Sequence, residues 1–266
     1  MNYLRQLLRT VKSESPILYG IVKVHVIFTI ISIIGLIMDE RTLLGVNVWI
    51  KPLKFSISGV IYILTVGFLI TLYPYSKKKK NIINAIVSWT MLIEIGIILC
   101  QGARGVQSHY NTSTPLDGIL YASMGILVAI NVLIMLLFVI DTIRLKLKVK
   151  KSMQLAILLG WVILVIGSWI GGQMIKQLSH NVGVVDGGAG LPLVNWSTIG
   201  GDLRIGHFFG LHGLQIIPLF ALWVSHKWKI SNRNQVISVV IFGLVYASWI
   251  GFIFYQAKQG IPLIRL

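Results

Sequence analysis

The chain has 266 residues, 55% of them hydrophobic and only 12% charged, with a mean hydropathy of +0.80. A water-soluble domain carries about 25% charge, so soluble globular, disordered, collagen-like and disulfide-stapled classes are excluded and a polytopic membrane protein remains. The 24 Lys and Arg residues against 8 acids give a net charge of +16, but they fall between apolar runs, where they set membrane orientation and touch anionic lipid; this argues against nucleic acid as a partner.

In chain order, residues 1–12 predict a short amphipathic helix on the cytoplasmic leaflet, with Leu4, Leu7, Leu8 and Val11 on one face and Arg5, Arg9 and Lys12 opposite. A bilayer core needs about 20 apolar residues per helix. Runs at 17–38, 49–73, 82–101, 118–140, 153–175, 207–228 and 236–257 meet this length. The first run is too long for a signal peptide and reads as an uncleaved span. No connection is long enough for a soluble domain. The expectation is an all-α fold over residues 1–266: one membrane domain, a bundle of seven transmembrane helices. Cys100 is the only cysteine, so no intrachain disulfide forms. No internal repeat of the transporter type is visible.

Basic residues alternate along the chain. The N-terminal segment (Arg5, Arg9, Lys12), residues 77–80, the segment from Arg144 to Lys151 and the segment from Lys227 to Arg233 together hold 15 Lys and Arg. By the positive-inside rule the N-terminus is cytoplasmic and the C-terminus external.

Polar residues inside spans cost roughly 2.5–3.5 kcal/mol on insertion scales and so point to function. Most lie in the outer halves. The second span opens with Asn47, Trp49, Lys51, Pro52 and Lys54; Pro52 suits a first helical turn, and Lys51, Lys54, Ser58 and Tyr62 form one descending stripe. Lys51 is also explained by snorkelling to the outer headgroups, Lys54 less well. The third span carries Thr90, Glu94 and Gln101 on one stripe. A lone carboxylate at the depth of Glu94 is either protonated or paired, and Lys54 is its candidate partner. The following loop, from Gly102 to Asn111, holds Arg104, Ser108 and His109. The glycine-rich loop at 183–201 reads as a flexible external lid.

The sixth span opens on a strong pattern. Asp202 is a candidate N-cap. Arg204, His207, Phe208, Leu211, His212 and Gln215 share one side of the helix, and Gly206, Gly210, Gly213 and Ile217 share the other. The glycine side lets another helix approach closely, so the polar side is expected to line a cavity. His207 and His212 are five residues apart, about 140° around the helix, which disfavours a two-histidine metal clamp from this helix alone. Convergence of His109 and His207 at the outer mouth, with His212 deeper, is the metal candidate that remains. No phosphate loop, paired-carboxylate signature, H-E-x-x-H or nucleophile elbow is present.

The stretch from Asn195 to Gln215, with Trp49-Ile-Lys51-Pro52-Leu-Lys54-Phe55 and Arg104-Gly-Val-Gln-Ser108-His109-Tyr-Asn111, resembles an uncharacterised family of bacterial multi-pass membrane proteins. The resemblance implies a bacterial inner-membrane setting and no defined activity.

The functional expectation is a net-basic outer pocket that binds or transports a small polar or anionic ligand. It is formed by Lys51, Lys54, Glu94, Gln101, Arg104, His109, Asp202, Arg204, His207, His212 and Gln215, with four permanent cations against two acids. The inner half offers Lys23, His25, Tyr62 and Asn131 as stepping stones. One alternative is a membrane oxidoreductase holding haem, a metal or a quinone. Another is a subunit that meets a membrane partner through glycine-rich faces, Gly167 with Gly171 and Ala247 with Gly251.

Overall fold

The computed structural model of the protein describes residues 2–265. Seven of its helices are long and apolar enough to cross a membrane. With no water in the hydrocarbon to satisfy backbone groups, the helix is the form such runs take. The elements are α1 (Asn2–Glu14), α2 (Pro16–Met38), β1 (Thr42–Leu43), β2 (Val46–Asn47), α3 (Ile50–Leu69, extended by a 3₁₀ turn Ile70–Leu72), α4 (Lys77–Arg104), α5 (Pro115–Arg144), α6 (Lys151–Gln177), β3 (Asn181–Val182), β4 (Gly201–Asp202), α7 (Leu203–Lys227) and α8 (Asn232–Lys258). The protein is a multi-pass, all-α membrane protein whose helices contact the lipid bilayer. Large apolar side chains such as Ile30, Ile34, Trp89, Leu133, Trp223 and Leu244 remain exposed on the helices and form that lipid-facing surface.

Each predicted span is present, and α4, α5, α6 and α8 overrun their apolar runs at both ends. α4 begins at Lys77 rather than at 82, because Ser76 caps it by accepting the Lys79 N–H and the lysines that follow belong at a headgroup level. It ends at Gly105, whose left-handed φ of 74° lets the Val106 N–H turn back to the Gln101 carbonyl.

The chain divides into two compact units, Met1–Ile134 and Met135–Leu266. In unit 1, α2, α3 and α4 pack on one another. The α2–α3 connection is a β1–β2 hairpin whose turn residues Leu44 and Gly45 both have positive φ. Trp49 lies against Gly35 and donates its indole N–H to Asp39 at 2.9 Å. The amphipathic helix expected at the N-terminus is present as α1, and its apolar face does more than lie on a membrane surface: Val11 is fully buried against Gly67 of α3. At the α1–α2 junction Ser15 donates to the Gly67 carbonyl and accepts from Asn84 Nδ2 at 3.0 Å.

In unit 2, α6 and α7 pack most intimately, as the glycine face predicts. A Cβ on Gly167 would meet the Gly210 backbone at 2.6 Å, and one on Gly213 would meet Ile163 at 2.5 Å. Trp161 is fully buried and stacks on Phe138, with ring centroids 4.5 Å apart. Tyr246 of α8 donates its hydroxyl to the Phe209 carbonyl at 2.7 Å.

Candidate functional site

The eleven expected residues fall into two sets, six in unit 1 and five in unit 2. In unit 1, Lys51 stands in the first turn of α3 beside Pro52. Its Nζ donates to His109 Nδ1 at 3.1 Å and lies 5.8 Å from the Phe55 ring centroid. Ser108 Oγ is 3.1 Å from the same imidazole nitrogen, and Tyr110 meets the His109 ring edge-on. Lys54 is half-buried one turn along α3. Glu94 is buried on α4 and interacts electrostatically with Tyr62 of α3.

Gln101 and Arg104, also expected at the pocket, are committed elsewhere. Gln101 donates to Asp117 Oδ1 at 2.9 Å, and Arg104 Nη1 donates to the same oxygen at 2.7 Å. Thr114 and Asp117 exchange hydrogen bonds at the start of α5, a reciprocal cap. Asp117 is the residue that sequence reasoning missed. Its signal was Thr114-Pro-Leu-Asp117, a threonine followed three residues later by an acid at the head of an apolar run.

In unit 2, Asp202 is the α7 cap as expected, accepting the Arg204 N–H at 2.9 Å. It also accepts from Arg204 Nε at 2.9 Å and from the Ser197 backbone N–H at 2.9 Å. Arg204 Nη2 donates to the Asn195 carbonyl. This pair therefore holds the preceding loop. His207 Nδ1 lies 2.8 Å from the Gly167 carbonyl of α6. His212 Nδ1 lies 2.8 Å from the Phe208 carbonyl, and its ring packs on Phe208 at 4.2 Å. Gln215 is half-buried one turn further along α7.

The loop read as a flexible lid is stitched to the protein. β3 and β4 pair, Gly190 bridges Ser197, and Asp186 accepts the backbone N–H groups of His180 and Asn181 and lies 2.7 Å from His180 Nδ1. Burial works against the Asp186 charge, but the His180 and Asn181 bonds outweigh it and hold the carboxyl down at about 2. In the α2–α3 hairpin, Arg41 and Trp49 hold the Asp39 carboxyl well below the usual carboxylate range.

Among the described residues, no group of three or more His, Cys, Asp or Glu side chains is placed to hold a metal ion. Of the candidate metal ligands, His109 belongs to unit 1, and His207 and His212 to unit 2. A groove of about 240 Å³ lies between α6 and α8. It is apolar, with Ile166, Trp169, Ala247, Gly251 and Phe254 in its walls and none of the eleven residues expected at the ligand pocket. Gly167 and Gly171, expected to meet a partner, already receive Gly210 and the His207 ring from α7. Compared with known proteins, the chain matches no family model, no curated protein and no solved structure.

Proposed function

We propose that the protein binds, and carries across the membrane, a small polar or anionic ligand, and that the site lies in unit 1 at the end bearing Lys51, Lys54 and His109. The observation that supports this most is the grouping itself. Lys51 stands beside His109, Lys54 follows one helical turn along α3, Phe55 and Tyr110 flank the imidazole, and Glu94 is buried on α4. Ionisable groups gathered within apolar helices are costly, and ligand recognition is the common return. Arg104 and Arg204 are set aside from recognition, because each is bonded to an aspartate.

In this reading the N-terminus is cytoplasmic, the membrane is a bacterial inner membrane, and the ligand enters from the external face. The test is a thermal-unfolding screen of the purified protein against inorganic phosphate and short mono- and dicarboxylates. At least one anion raises the unfolding temperature by mass action, and Lys51→Ala or Lys54→Ala removes the shift. Shifts that survive both substitutions, or a panel without any shift, refute the reading. Uptake of the stabilising anion into proteoliposomes then separates carriage from binding.

A further inference from the structure

The ligand reading uses one end of unit 1 and leaves its interior unexplained. Three helices, α2, α3 and α4, carry buried polar groups there. On α2, His25 is fully buried. Its Nδ1 lies 2.9 Å from the Ile21 carbonyl, so the N–H belongs on that nitrogen and Nε2 presents a lone pair. The Met91 backbone is a second hydrogen-bonding neighbour of the ring, although Nε2 has no partner at normal hydrogen-bond geometry within the protein. The imidazole lies flush on α3, where a Cβ at Gly59 would come within 2.8 Å of it.

One turn along α3 from Gly59, the Tyr62 hydroxyl is buried, without a protein partner, and within electrostatic reach of Glu94. Ser56 of α3 and Ser88 and Asn84 of α4 are buried too, and each presents an oxygen without a protein partner. Asn131 Oδ1 is a further such oxygen, held beside α4 by a bond from Nδ2 to Thr90.

These groups are spread through the depth of the unit. Distances are counted along each helix from the end shared by Met38, Ile50 and Arg104. At 1.5 Å per residue, Lys54 lies about 6 Å down, Glu94 about 15, Tyr62 about 18, His25 about 20, Ser88 about 24 and Asn84 about 30. Asn84 then donates to Ser15 at the opposite end. The series crosses about 30 Å, the thickness of a hydrocarbon core. Buried polar atoms that the protein does not satisfy take water as their partner. Carboxyl, phenol and imidazole set along such water are the parts of a proton relay.

We infer that the interior of unit 1 is a proton path, in which Glu94, Tyr62 and His25 pass protons through water between the two faces of the membrane. In each transfer the Glu94 O–H bond breaks, the proton crosses a water molecule, and an N–H bond forms at His25 Nε2. The Tyr62 hydroxyl accepts one proton as it gives up another, so its charge does not change. His25 releases its proton toward Ser88 and Asn84, and Glu94 is reprotonated from the Lys54 side. Of the titratable groups on the helices packed against α4, Tyr62 of α3 is within electrostatic reach of Glu94; by depth, Lys54 of α3 lies about 9 Å to one side of it and His25 of α2 about 5 Å to the other, and α5 contributes the neutral Asn131.

The test uses the full chain in proteoliposomes that hold a pH-sensitive dye, with a potassium gradient and a potassium ionophore supplying the driving potential. Wild-type vesicles acidify faster than protein-free vesicles. Glu94→Gln removes the flux, and Tyr62→Phe, which takes away one oxygen and keeps the ring, lowers it at least about tenfold, as loss of a proton-transfer group does. Wild-type flux no greater than that of protein-free vesicles overturns the proposal, as does a folded Glu94→Gln protein that conducts normally. If Glu94→Gln does not fold, Tyr62→Phe decides alone, and unchanged flux in that variant overturns it. Anion binding at Lys51 and Lys54 is read separately by the unfolding screen, so the two readings fail independently.

Discussion

Asp117 accepts from Gln101, Arg104 and Thr114 while only 2% of its side chain is exposed. Its loss strands Gln101, which is itself fully buried. The Arg104 side chain is 41% exposed and regains water, so Asp117→Ala costs less than the breaking of a fully buried pair. For a chain of this size the expected fall in unfolding temperature is about 5–10 °C, measurable by thermal unfolding in detergent. Asp117→Asn keeps one acceptor oxygen and loses less. Acid acts on the loop carboxyl of Asp186. Asp186 is held at about 2 in the folded protein against 3.8 for the free side chain. A depressed carboxyl contributes stability above its unfolded value and loses it as pH falls through the folded one. The loop between β3 and β4 therefore loosens between about pH 4 and pH 2. Limited digestion by an acid-active protease tracks this opening, and Asp186→Asn gives an equally open loop already at neutral pH. Cleavage that is independent of pH in the wild type contradicts the assignment.

At the scale of elements, the α6–α7 contact depends on missing side chains. A Cβ on Gly167 would meet Gly210 backbone, which has no rotamer by which to yield. Gly167→Leu separates the two helices and lowers the unfolding temperature more than Asp117→Ala does. Gly172 lies on the same helix, and a methyl group added there would meet nothing within 4 Å; Gly172→Ala is tolerated and adds up to about 1 kcal/mol through helix propensity. Equal effects of the two substitutions would show that the close approach does not hold the pair together. This contact was legible in the sequence because Gly206, Gly210 and Gly213 repeat on one helical face. The spans were legible for a similar reason, since about 20 apolar residues have only one way to cross a bilayer. Partner choice was not legible. Arg104 and Arg204 read as ligand cations because sequence spacing does not reveal that Asp117 and Asp202 fold back onto them. The interior polar series was half legible: His25, Tyr62, Glu94 and Asn131 stood out as polar residues in apolar runs, whereas Ser56, Ser88 and Asn84 are too common in helices to signal on their own.

Across the whole molecule, charge is distributed unequally. The four basic segments hold 15 Lys and Arg, with Glu14 and Asp141 as the acids beside them, a net +13. The alternate ends and connections hold eight Lys and Arg with five acids, a net +3, while Lys23 and Glu94 lie within spans and cancel. On the second side three arginines are neutralised locally, Arg41 by Asp39, Arg104 by Asp117 and Arg204 by Asp202. Lys and Arg near span ends resist translocation, so the expected outcome is that the side holding the 15 Lys and Arg lies in the cytoplasm. Cys100 is the only cysteine, so a Cys100→Ser background allows each side to be mapped with one introduced thiol. Val185 is 83% exposed in the β3–β4 loop, and Lys148 is exposed between α5 and α6. In intact cells a membrane-impermeant maleimide labels Val185→Cys, and it labels Lys148→Cys only after the membrane is opened. The reverse pattern inverts the topology and moves the Lys51–Lys54 end to the cytoplasmic face; labelling of both without permeabilisation shows that the charge difference does not fix a single orientation.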